Sequence, residues 1–117
     1  MGHAALAAGF FGFDFIEECG ATASLVRHVH HHDNLQRTNV TGEVQASEHT
    51  VYGLGDLHLS PGRGTIPLED LFRRMEFPEN PSCCVELSPE LFSLVPDALH
   101  AAREISLVVA VREPVSL

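Results

Sequence analysis

Two short segments of this chain read as buried strands, and helical sequence lies around and between them. Leu25-Val26 and Val29 form a β-branched run that leads into a row of histidines, and Ser82 to Leu87 forms the second around Cys83-Cys84-Val85. The order is helix, strand, loop, helix, strand, helix. Such alternation predicts parallel strands joined by helical crossovers. Two strands alone cannot bury both faces of a parallel sheet. The chain is therefore expected to be a piece of a larger sheet, or to complete itself by pairing with another chain, a homo-oligomer being one way.

The helices are predicted from their apolar spacing and their stops. Phe10 to Cys19 reads as a short helix with Gly20 as its stop. Thr65 or Ile66 would cap a second helix, with Pro67 in its first turn, Glu69-Asp70 complementing its dipole, and Leu68, Leu71, Phe72 and Met75 on its buried face. A third opens at Ser88-Pro89-Glu90 and runs to roughly Glu104. Leu91, Leu94, Val95, Ala98 and Leu99 are its expected buried side, and Pro96 predicts a kink or break. Ile105 to Val111 fits either a strand or a continuing helix. The polar stretch from Leu35 to Gly53 has no period, and a loop of that length is usually functional or mobile.

Composition narrows the function classes. With 117 residues there is room for one core. The 44% apolar content and near-zero mean hydropathy are those of a globular protein. Sixteen acidic against seven basic side chains leave a net charge of −9, which repels polyanions and gives nucleic-acid binding no support. The apolar start, Met1 to Phe10, has no basic flank and is too short and glycine-interrupted for a signal or a membrane span. A cytoplasmic location is expected. Cys19, Cys83 and Cys84 are an odd number without metal-type spacing, so reduced thiols are expected. The Asn39-Val40-Thr41 sequon is then idle.

The chemistry-bearing residues sit where the apolar runs end. His28, His30, His31 and His32 close the first run, followed by Asp33-Asn34. His30 is either a metal ligand held rigidly at a strand end or part of a merely polar terminus. Alternation sends His30 and His32 to one side and His31 to the other. Asp56 and His58, two apart, either share a divalent ion or form a solvated loop pair. Gly62-x-Gly64 ahead of a helix would cradle an anion such as phosphate on its N–H groups, or simply serve a turn. Glu86 ends the second run, where a carboxylate is costly to bury without a partner, and so is a candidate metal ligand and acid/base group. Acid groups at the ends of several strands are how a (β/α) barrel builds such a site.

Three motifs in register carry a family resemblance. They are His30-His31-His32-Asp33-Asn34, then His58-Leu59-Ser60-Pro61-Gly62-Arg63-Gly64-Thr65-Ile66, then Val85-Glu86. Over roughly residues 1 to 104 the chain resembles the sugar phosphate isomerase/epimerase superfamily, the xylose isomerase-like TIM barrels, with 105 to 117 as a tail. Met1-Gly2-His3-Ala4 is similar to the family's Asp-x-Gly-His-Ala strand end.

The resemblance implies a partial (β/α)8 TIM barrel of the α/β class, the last two strands with flanking helices, from a fold of ~250 residues. It implies His30 and Glu86 as metal ligands, Glu86 also as the acid/base, and His3 against the substrate's oxygens. Asp56 and His58 match ligand positions of the related apurinic-site endonucleases. The implied cofactor is a divalent ion (Zn, Mn, Mg or Co), and the implied substrate a sugar or sugar phosphate. The other carboxylate ligands are not among these residues, so the expected activity of this chain alone is little or none. Two further readings stand beside it: a metal-dependent phosphodiesterase of the endonuclease branch, and a half-barrel that binds a partner without catalysis.

Overall fold

The first strand, β1 (His28–His31), alternates exposed and buried along its four residues, with Val29 and His31 turned inward. It pairs in parallel with β2 (Ser82–Val85) in the register His28–Ser82, Val29–Cys83, His30–Cys84 and His31–Val85. This is a computed structural model that describes residues 1–38, 49–77 and 81–107. The sequon at Asn39, the centre of the Leu35–Gly53 segment and the tail beyond Leu107 lie outside the described residues.

The helices differ from expectation at their ends, and each difference has a local cause. The apolar stretch before β1 forms two helices, α1 (Gly2–Phe11) and α2 (Phe15–Thr22), where one over Phe10 to Cys19 was expected. Gly12 takes a left-handed conformation (φ 77°) and its N–H closes on the Ala8 carbonyl at 2.8 Å, which ends α1. Asp14 then caps α2 by accepting the Glu17 N–H at 2.8 Å, and α2 passes through Gly20 without stopping.

A single turn, α3 (His49–Tyr52), precedes the Asp56 segment. The next helix, α4 (Leu68–Arg74), has Pro67 at its cap position, one or two residues later than the expected Ile66 or Thr65. The Thr65 N–H is bonded to the Asn34 carbonyl and the Ile66 N–H to the Asp33 carboxylate, which ties both residues to the end of β1 ahead of the helix. Its inward face is the one expected. Leu68, Leu71 and Phe72, with Met75 beyond its end, pack with Val29, Ala5, Phe15 and Ile105 in one core.

The last helix, α5 (Val95–Leu107), begins where a 3-10 turn over Pro89–Leu94 ends, which puts Pro96 in its first turn, where a missing N–H costs little. It buries Ala98, Ala102 and Ile105. Leu94, Val95 and Leu99, expected inside, are 38–44% exposed. Val95 and Leu99 line an open apolar hollow with Val85, Leu87 and Phe92, on a sheet that has only two strands among the described residues. No helix among the described residues is long and apolar enough to cross a membrane.

Candidate metal centre

The polar ends of both strands converge. β1 delivers His30 and, just beyond it, His32; β2 delivers Glu86; the segment after α3 brings Asp56 and His58; and the first turn of α1 brings His3. All five residues expected at a site are thus gathered with a sixth, His32.

Asp56 is the hub. Its Oδ2 lies 2.5 Å from His3 Nε2 and 2.8 Å from His58 Nε2, and its Oδ1 lies 3.0 Å from His32 Nε2. Burial pushes the Asp56 carboxyl up, but His32, His58 and His3 together hold it below the ordinary carboxylate value. The His32 and His58 rings stack at 4.1 Å, nearly parallel, and His3 meets both edge-on. One donor atom from each of His3, His32, Asp56 and His58 lies within 4.8 Å of the others.

Glu86 occupies the other side of His32. Its Oε1 bonds His30 Nδ1 at 2.7 Å, while its Oε2 lies 3.2 Å from His32 Nδ1 and 4.0 Å from His58 Nδ1. Desolvation is the largest single influence and raises the Glu86 carboxyl, but the His30 bond and the charges of His30, His32 and His58 together outweigh it, so the group stays ionised further into acid than usual. His32 Nδ1 and Glu86 Oε2 both remain without a hydrogen-bond partner despite their closeness.

The backbone is shaped around this cluster. Gly2 lies so close that a Cβ there would run into the His32 ring. His58 holds a positive φ of 47°, a region costly for a side chain with a Cβ, and such strain tends to collect at functional positions. Asn34 reaches the Gly2 carbonyl at 3.2 Å and Asp56 Oδ1 at 3.4 Å.

Of the two readings of Gly62-x-Gly64, an anion cradle or a plain turn, the cradle is filled from within the chain. The Gly62 and Gly64 N–H groups donate to Asp33 Oδ2 at 3.0 and 2.9 Å, so they are not open to a phosphate. His31 points the other way, onto Phe72 at 5.3 Å, and burial brings its pKa down to about 4. It is a core residue. His28 bonds Ser82 at the exposed edge.

The donor set fits a divalent ion. Three imidazoles and one carboxylate suit zinc, cobalt or manganese, whereas magnesium prefers oxygen ligands. His32 and Asn34 carried no role on sequence grounds. The one signal for His32 was alternation, which put it on the same side as His30. No protein-family model, no curated protein and no solved structure matches this chain.

Proposed function

We propose that this chain forms the metal-binding wall of a sugar isomerase or epimerase, built as the last two strands of a (β/α) barrel. The observation that carries the proposal is Asp56, gripped by three imidazoles, with an ionised Glu86 held beside the same cluster. A bound divalent ion would supply Lewis acidity toward a sugar carbonyl and its neighbouring hydroxyl. Glu86, aimed by His30 and ionised at neutral pH, accepts the proton from the carbon between them. His3, the most exposed member at 69%, has its Nε2 on Asp56 and would meet a substrate oxygen through its other ring nitrogen. The open hollow along Val85, Leu87 and Leu99 is the surface on which further strands would pack.

The phosphodiesterase reading draws on the same Asp56–His58 contact. We rank it second because a net charge of −9 repels a phosphate backbone.

Calorimetric titration of the zinc-loaded chain with a ketose phosphate tests the proposal, beside the metal-free chain and a DNA duplex holding an abasic site. Sugar binding that needs the ion is expected. Zinc uptake without any sugar response would remove the isomerase reading, and a response to the duplex alone would favour the second one.

A further inference from the structure

We infer that His32 is a metal ligand through Nε2, with Glu86 bonded to its Nδ1–H as the group that orients it. The ion then sits among His3, His32, Asp56 and His58, and Glu86 stays one residue removed from it. The inference rests on the metal-dependent reading above, but assigns roles that differ from the ligand pair His30 and Glu86 which the family resemblance implies.

The argument starts from the valence of imidazole. A neutral ring has one N–H and one lone pair. His32, with its side chain wholly buried, has a carboxylate at each nitrogen: Asp56 Oδ1 at 3.0 Å from Nε2 and Glu86 Oε2 at 3.2 Å from Nδ1. A neutral ring without a metal ion must turn one lone pair to a carboxylate oxygen, and burial disfavours the protonated ring that would donate at both. Nε2 bonds Asp56, while Nδ1 and Glu86 Oε2, though 3.2 Å apart, do not meet in hydrogen-bond geometry and have no other partner. Buried polar groups without partners are costly.

An ion among the Nε2 atoms and Asp56 removes the conflict. The lone pair at Nε2 and the Asp56 oxygen both become donors to the ion, and the ring proton moves to Nδ1, where Glu86 Oε2 accepts it. A ligating histidine that passes its other N–H to a carboxylate is a recurrent arrangement, and it fixes both tautomer and ring orientation. The ring has little freedom to do otherwise, being stacked on His58 and closed off by Gly2. Glu86 keeps its other oxygen on His30.

The test uses the whole chain labelled with 15N at histidine, titrated with Zn2+ and with 113Cd2+ at neutral pH. Expected are one ion per chain, a His32 ring protonated at Nδ1 only, and cadmium coupling to His32 Nε2. In parallel, His32→Asn is expected to lose at least a hundredfold in affinity. Glu86→Gln is expected to lose about 10–100-fold, the usual cost of an orienting partner, with the absorption bands of the Co2+ form unchanged. His30→Asn is expected to keep one ion per chain. An ion that binds while the His32 ring signals stay put, or Co2+ bands that change in Glu86→Gln, would overturn this assignment and leave the metal site standing. A wild-type chain that takes up no ion would overturn both.

Discussion

Gly64 donates its backbone N–H to Oδ2 of Asp33 at 2.9 Å, across a separation of 31 residues. The same carboxylate accepts from the N–H groups of Gly62, Ile66 and Asn34, so a wholly buried anion ties the end of β1 to the turn that precedes α4. A Cβ at Gly64 would collide with Asp33 and with the Asn34 carbonyl, so the glycine is needed for close approach. The carboxylate positions its neighbours His32 and Asn34 from behind.

Asp33→Asn should therefore be a stability mutation. It keeps the shape but replaces an acceptor with an amine facing N–H groups, and bonds to a charged group contribute about 1.5–3 kcal/mol each. A loss of about 3 kcal/mol is expected in urea unfolding monitored by circular dichroism. A change under about 0.5 kcal/mol would mean the turn holds itself without the anion.

His31 makes stability depend on pH. Its folded pKa lies at about 4 against an ordinary 6.5, because burial disfavours the imidazolium. The unfolded chain binds the proton first, so stability is complete above about pH 6.5 and is lost as pH falls toward 4. Between pH 7.5 and 5 the loss amounts to about 2 kcal/mol, since each pH unit is worth about 1.4. Asp56 and Glu86 act in a lower window. Their depressed values give stability that is complete above their ordinary 3.8 and 4.5 and is lost only below. In the presence of a chelator, His31→Phe, which keeps a ring against Phe72, should show a shallower fall over pH 7.5 to 5 than wild type. Equal slopes would assign the dependence elsewhere, with buried His32 as the next group to test.

Gly2→Ala probes how tightly α1 is set against the site. The added methyl must displace the His32 ring or shift the start of the helix. Helix content should be kept, since alanine favours helix by about 1 kcal/mol over glycine. Zinc affinity should drop about tenfold or more, because His3 and His32 can no longer both reach Asp56. Unchanged affinity in a zinc titration would show that α1 yields without cost to the site.

What the sequence made legible follows from the range of the forces involved. A strand at Val29 and the inward face of α4 were readable because period and β-branching are local signals, although the strand starts only at His28 and Leu25, read into it, lies exposed in a 3-10 turn. Gly12 went unread as a break because the apolar run continues on both sides of it, and Asp14 as a cap is visible only once that break is known. The partners of Gly62 and Gly64 were hidden because their anion comes from Asp33, 29 and 31 residues upstream. Leu94, Val95 and Leu99 read as core because spacing reports which side of a helix is apolar, not whether anything covers it. His32 depends on Asp56 and Glu86 arriving from two other segments, which no local pattern encodes.

His58 offers a test in which stability and metal binding move apart. Its backbone sits at φ 47°, where a side chain costs about 1–2 kcal/mol and asparagine is better tolerated than most residues. The Ser88 N–H bonds its carbonyl at 3.1 Å, a main-chain link that survives any side-chain change. The ring itself is committed to Asp56 at 2.8 Å and to the stack on His32, contacts that serve the cluster. His58→Asn should therefore unfold in urea at the wild-type midpoint or slightly above it, in the absence of metal. Its zinc affinity should fall at least tenfold. If instead the variant loses more than about 1 kcal/mol of stability while zinc binding is kept, the imidazole is there for the fold. The strain would then belong to the turn before Leu59 and not to a ligand position.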